Sequence, residues 1–372
     1  MTSFPSRIAL SVAALVAASL LVSCSSDDDT GADAPADRPE SRTLTPDSGH
    51  KSEKAASRPE SRTADPEDDA AEEPAPSDEP EDPEPTAESD DEPPAERPDA
   101  GPSRTRIAPN LPAGDEGVLD GRRMVALYGV PGTPSLGALG EQPLDASITR
   151  VKKLAEQYEK FTDDEVVPTF EIIASVASTS AGGDGDFSSE LSLSSLRPWV
   201  ERAAEEGVYV VLDLQPGRNG FERQAKRYAP LLKYPHVGLA LDPEWRLGPN
   251  QRHLEQIGSV HGDEVNATID WLADLTRQEK LPQKLVVLHQ FRTSMIVDRK
   301  RVRTDRDEVE VLIHADGQGA QAAKRGTWRT LHQGAPKDVR WGWKNFIDED
   351  HPMLTPKQTY QVRPRPDFVS YQ

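Results

Sequence analysis

The stretch Val237–Leu247, VGLALDPEWRL, decides how the rest of the chain is read. Its first half is small and apolar, as a buried strand is. Asp242 and Glu244 then follow two residues apart, with Trp245 behind them. In a strand, side chains alternate between two faces. Gly238, Ala240, Asp242 and Glu244 therefore share one face, which passes from small residues to two carboxylates. A strand of a parallel barrel has this form: its inward face is core until it reaches the open, C-terminal end, where chemistry is done.

Seven other runs resemble this one: RMVALYGV, VVPTFEIIAS, VYVVLDLQ, KLVVLHQF, EVEVLIHAD, VRWGWKNF and DFVSYQ. Between several of them lie amphipathic segments. In SLSSLRPWVERAAEEG, Leu196, Val200 and Ala203 fall at helical spacing and Gly207 stands where a C-cap glycine belongs. In DEVNATIDWLADLTRQEK, Val265, Ile269, Leu272 and Leu275 make an apolar stripe. Apolar strands alternating with helices predict an α/β fold with a parallel sheet, and eight strands in residues 113–372 predict a (β/α)8 TIM-like barrel. The connections after the fifth and seventh strands read as poorly helical, and no helix follows the eighth. A doubly wound open sheet is the alternative. Its glycine-rich dinucleotide turn is missing, because YGVPGTPSLGALG lacks G-x-G-x-x-G, so no nucleotide cofactor is expected.

The same alternation marks site residues on the other strands. Glu171 lies on the second strand, Asp213 and Gln215 end the third, His289 ends the fifth, and His314 and Asp316 end the sixth. Trp341, Trp343 and Asn345 come from the seventh and Tyr371 from the eighth. Tyr209, deep on the third strand, would need a hydrogen-bond partner. Paired carboxyl groups flanking a bond, one of them kept protonated, are the requirement of glycoside hydrolysis. Glu244 is the expected acid, held protonated by Asp242 or Asp213, with Asp213 or Asp316 as the second carboxylate. Glu171, Gln215, Trp245, His289, His314, Trp343 and Tyr371 are the expected substrate-binding set, the tryptophans as platforms for sugar rings. Asp242 before Pro243 also fits a simple turn cap. His289, His314, Asp316 and Asp213 could together ligate a metal, but no H-E-x-x-H is present and none is expected.

The motif LALDPEW resembles the fourth-strand signature of chitinase-like barrels, D-x-x-D-x-D-x-E followed by an aromatic residue. Asp242, Glu244 and Trp245 fall on its last positions, while its two earlier acids fall on Val237 and Ala240. The resemblance implies Glu244 as acid and Asp242 as its neighbour. More broadly, the chain resembles secreted actinobacterial barrel lipoproteins that look like glycoside hydrolases.

The N-terminal third is different in kind. Arg7 precedes an apolar run, Ile8–Val22, of about fifteen residues, the length of a signal-peptide core and short for a membrane span. Leu21-Val22-Ser23-Cys24 resembles a bacterial lipobox, and Cys24 is the one cysteine of the 372 residues. The resemblance implies a signal peptide over 1–23, lipidation (palmitate) at Cys24, and a location at the extracytoplasmic face of the cell membrane. Residues 24–112 are Pro-, Glu-, Asp- and Ser-rich and cannot bury enough apolar surface to order themselves. The sequence RPESRT recurs there, at 38–43 and 58–63. Of the formal net charge of −21, roughly −17 falls in residues 25–110. This segment reads as a disordered acidic tether, with an end-to-end distance of roughly 50 Å.

The expected partners are thus a membrane, through the anchor, and a carbohydrate. The run DRKRVRTDR at 298–306 carries balancing aspartates and reads as a solvated loop, so no nucleic acid is expected. The function expected is a membrane-anchored, extracytoplasmic glycoside-hydrolase-like barrel acting on cell-wall or environmental polysaccharide. A non-catalytic glycan- or wall-binding barrel is the alternative.

Overall fold

The computed structural model describes residues 117–372; the expected signal peptide, Cys24 and all of the acidic segment lie outside them. Eight strands form the barrel: β1 (Arg122–Gly129), β2 (Glu165–Ala177), β3 (Tyr209–Leu214), β4 (Val237–Leu241), β5 (Lys284–Gln290), β6 (Val309–Ala315), β7 (Arg340–Asn345) and β8 (Phe368–Tyr371). Each pairs in parallel with the next, and β8 pairs in parallel with β1, which closes the sheet. The fold is an α/β TIM-like barrel, as the alternation predicts. Closure leaves no sheet edge apart from an extension of β2, which pairs antiparallel with Ser188–Glu190.

The helices are α1 (Leu144–Glu159), α2 (Leu193–Glu206), α3 (Phe221–Arg227), α4 (Ala229–Leu232), α5 (Gly262–Gln278), α6 (Gln321–His332) and α7 (Pro356–Thr359). Ser192 caps α2 by accepting from the Ser195 N–H, and Gly207 ends it at φ 68°, where a side chain would be strained. Pro230 lies at the start of α4 and separates it from α3, because it can donate no hydrogen bond to the preceding turn. Between β5 and β6 no α-helix forms. Two single 3-10 turns, Thr293–Met295 and Arg299–Arg301, replace it.

Alternation along each strand divides the core in two. Val125, Leu127, Val210, Leu212, Leu239, Leu241 and Ile313 face the helices. Met124, Ala126, Val211, Ala240, Val287, Leu312 and Phe368 fill the barrel, with Val118 and Leu119 packed among them. Burying each such leucine or valine contributes roughly 1.5–3 kcal/mol. Tyr209 finds the partner it needs: its hydroxyl accepts from the Leu285 N–H at 3.2 Å. A Cβ at Gly238 would lie 2.6 Å from the Leu285 carbonyl oxygen and 2.9 Å from that hydroxyl, so the second position of the fourth strand takes glycine. No helix among the described residues is long and apolar enough to cross a membrane.

Candidate active site

At the C-terminal ends of the strands the barrel interior turns from apolar to charged. Tyr128 of β1, Glu171 of β2, Asp213 of β3, His289 of β5, His314 of β6 and Lys344 of β7 are all buried there. Asp242 follows β4, and the 3-10 turn Pro243–Trp245 carries Glu244 beyond it. Asp242 also accepts from the Glu244 N–H at 3.4 Å, so its role as turn cap and its place in the cluster coincide.

His289 is the centre of the cluster. Its Nε2 lies 2.8 Å from Glu171 Oε1 and its Nδ1 3.0 Å from Asp316 Oδ2. An imidazole can donate to two carboxylates only when it carries both protons. Burial opposes that charge, but the Glu171 charge, the hydrogen bonds to Asp316 and Glu171 and the charge of Asp213 outweigh it. The pKa of His289 stands well above its ordinary value. His314 lies beside it, ring centroids 5.1 Å apart, and behaves oppositely. Burial first, then the charges of His289, Lys344 and Lys324, hold it well below the ordinary histidine range. Its Nε2 pairs with Ser370 Oγ at 2.7 Å.

The carboxyl groups are likewise pushed apart. Burial, with the Asp316 charge next in size, raises Glu244 to about 8, against the opposing pull of Lys344 and His289. Burial raises Asp242 well above its usual range, and the neighbouring Glu244 adds to this. Burial also raises Asp213, to about 6, though His289 pulls it down; Tyr128 donates to it at 2.9 Å. Asp316 alone among the four moves down. Burial works against its charge, but the hydrogen bond from His289 and the charges of His289, Lys344 and Lys324 prevail. The mouth thus places a protonated, partly exposed Glu244 in the electrostatic reach of an ionised Asp316.

Of the expected site residues, Glu171, Asp213, Asp242, Glu244, His289, His314 and Asp316 come together. Gln215 joins them as a clamp: its Oε1 accepts from the Ala177 N–H at 2.9 Å, and its Nε2 reaches the Tyr128 hydroxyl at 3.4 Å. Trp245 is buried edge-on against His253, centroids 5.4 Å apart. Two expectations are corrected. Trp343 does not line the mouth but lies in the outer core against Trp328, with its indole N–H donated to Asn345. Tyr371 is also in the outer core, its hydroxyl 2.5 Å from that of Tyr158. Both strands are inverted relative to the sequence reading, so Lys344 and Ser370 point inward instead.

Lys344, Tyr128 and Ser370 are therefore site residues that the sequence reading missed. The Lys344 ammonium sits 3.6 Å from the centre of the Tyr128 ring, a close cation–π contact. Behind it, Lys324 Nζ pairs with Asp350 at 2.9 Å and donates to the carbonyl of Lys344. The signal was present: Gly342 and Lys344 alternate with Trp341 and Trp343, and Ser370 sits between Val369 and Tyr371. Among the described residues, no group of three or more His, Cys, Asp or Glu side chains has an arrangement that could hold a metal ion. Both nitrogens of His289 are already engaged by carboxylates.

No protein-family model matches the chain, and no curated protein matches it. Among solved structures, it is similar to Thermotoga maritima Cel5A, crystallised in mutant form with cellobiose. That match has a TM-score of 0.35 and 10% identity over 67% of this chain and 87% of that one. It is also similar to Xanthomonas albilineans dihydropteroate synthase with 4-aminobenzoic acid, at a TM-score of 0.29 and 14% identity over 68% of this chain and 88% of that one. Neither likeness bears on site residues or substrate.

Proposed function

We propose that the domain is a glycoside-hydrolase-like enzyme in which Glu244 is the general acid and Asp316 the ionised carboxylate in its electrostatic reach. One arrangement carries this reading: at one barrel mouth His289 is bonded to Asp316 at 3.0 Å and holds its carboxyl ionised, while burial on the turn after β4 and the Asp316 charge raise Glu244 to about 8. Two carboxyl groups with separated pKa values are what acid-assisted glycosidic cleavage requires. At neutral pH Glu244 holds a proton for the departing oxygen, and Asp316 has the negative charge to meet the sugar carbon or its water. His289 keeps Asp316 ionised and is itself held by Glu171. A purely glycan-binding barrel would depend on exposed aromatic platforms. The outer-core position of Trp343 and Tyr371 and the burial of Trp245 remove the expected platforms from both readings, and the paired carboxyl groups are what favours the catalytic one.

The test is reducing-sugar release from a panel of wall and environmental polysaccharides. Glu244→Gln and Asp316→Asn should each lower turnover by about 10²–10⁴-fold while leaving glycan binding in place. Turnover that survives both substitutions, or no turnover in any form, rules the enzyme out. The lipobox-like segment supports a companion proposal: Cys24 is lipidated and fixes the domain to the outer face of the cell membrane. Metabolic labelling with an alkynyl fatty acid should mark the wild type and not Cys24→Ser, which should be released to the medium. Equal membrane retention of both refutes the anchor.

A further inference from the structure

We infer that the flank of the barrel beside α6 carries an oxyanion site built for a phosphate group, independent of the reading of the mouth. It arises where the β5–β6 connection lacks an α-helix. Ile296 and Val302 of that connection enter the outer core, so the segment is packed. The space left against α6 is a groove of about 620 Å³, lined by Thr293, Asp298, Arg299, Lys300, Thr330 and Gln333 among others.

The basic run that the sequence presents as solvated is divided in two by the structure. Arg301 pairs with Asp263 at 3.1 Å, Arg303 with Asp270 at 3.1 Å, and Arg306 with Asp270 and Asp274 at 2.7 and 2.9 Å. All three of those acids belong to α5. Arg299 and Lys300 pair with no carboxylate among the described residues, and both line the groove, as does the Asp263-paired Arg301. Arg299 is only 6% exposed. Its Nη1 reaches Gln290 Oε1 at 3.4 Å and its Nη2 the Gln333 carbonyl at 2.9 Å. Both acceptors are neutral, and a guanidinium has five N–H donors. Capping the last turn of α6 accounts for one of those bonds, not for a buried cation with no counter-charge. Burial also draws the Arg299 pKa below its usual value, with no acid to oppose it.

The Lys300 stem lies against Gly334: a Cβ there would come 2.9 Å from Lys300 Cε, and Gly334 adopts φ 64°. A guanidinium fork, a point-charge ammonium and two threonine hydroxyls, against the single acid Asp298, suit a tetrahedral oxyanion.

The test is titration of the full chain with sodium phosphate, read by ³¹P NMR at constant ionic strength balanced with chloride, with sodium acetate added as competitor in the second arm. Saturable phosphate binding is expected, with no displacement by acetate beyond that by chloride. Lys300→Ala should weaken phosphate binding by about tenfold, the loss of one charge-assisted contact, and Arg299→Lys by at least as much. Phosphate no better than chloride, acetate as good as phosphate, or wild-type affinity in Lys300→Ala overturns the proposal. Lys300 is exposed, so its replacement decides the matter even if Arg299→Lys does not fold.

Discussion

Replacing Gly342 by alanine tests the packing beneath the site at one atom. An added Cβ would stand 2.2 Å from His314 Nδ1 and 2.9 Å from Leu312 Cδ2. The first contact is about 1 Å shorter than non-bonded atoms tolerate. The imidazole cannot simply retreat. Its far nitrogen is bonded to Ser370 at 2.7 Å, and its ring meets His289 and Phe368 edge-on, each with centroids 5.1 Å away. Overpacking of this kind costs about 1–3 kcal/mol, and a broken buried hydrogen bond about 1–3 more. Gly342→Ala should therefore lose about 2–6 kcal/mol, lowering the thermal midpoint by roughly 4–24 °C for a domain of this size. Circular dichroism melts measure it. The diagnostic is the double variant: His314→Ala removes the obstacle, so Gly342→Ala in that background should cost about 1–3 kcal/mol less than it does alone. A single variant within about 0.5 kcal/mol of wild type, or strict additivity, refutes the placement of His314 over Gly342.

Three further outcomes follow from the charged mouth. Glu244 has a folded pKa of about 8 against about 4.3 unfolded, so the folded state binds the extra proton and stability falls as pH rises between those values. Glu244→Gln removes that slope and should gain at least about 1 kcal/mol on the wild type between pH 5 and pH 8 in urea titrations; parallel pH profiles contradict this. His289 has a raised folded pKa, so its stabilisation is complete below about 6.5 and is lost as pH rises through the folded value. Asp316→Asn should lower that value in imidazole NMR titrations, and an unmoved His289 contradicts the bridge. Lys324→Met strands Asp350, which is also bonded to the Gly319 and Phe346 amides, and should cost about 3–5 kcal/mol in denaturant unfolding; a loss under about 1 kcal/mol contradicts the buried pair.

The barrel was legible because period-two alternation and apolar runs survive in every strand, and Val237–Leu241 shows where core gives way to acid. The inward face was legible on β3, β4, β5 and β6, whose late acids and histidines could not be buried against helices unpaired. On β7 and β8 it was not. A barrel strand is buried on both faces, so alternation alone does not say which face is inside. Trp343 and Tyr371 drew the reading toward the mouth, whereas on these two strands they pack outward against Trp328 and Tyr158. The narrow interior takes Gly342 and Ser370. The state of His289 was also hidden, since Glu171 and Asp316 lie 118 and 27 residues away from it in sequence.

The central claim is that Glu244 stays protonated near neutrality because it is partly withdrawn from water within electrostatic reach of an ionised Asp316. Its most direct measurement is a carboxyl titration of Glu244, by difference infrared or ¹³C NMR, in the wild type and in Asp316→Asn. The account predicts a midpoint near 8 in the wild type that falls in the variant, the remaining elevation coming from burial. A wild-type midpoint in the ordinary glutamate range, or one indifferent to Asp316, contradicts it.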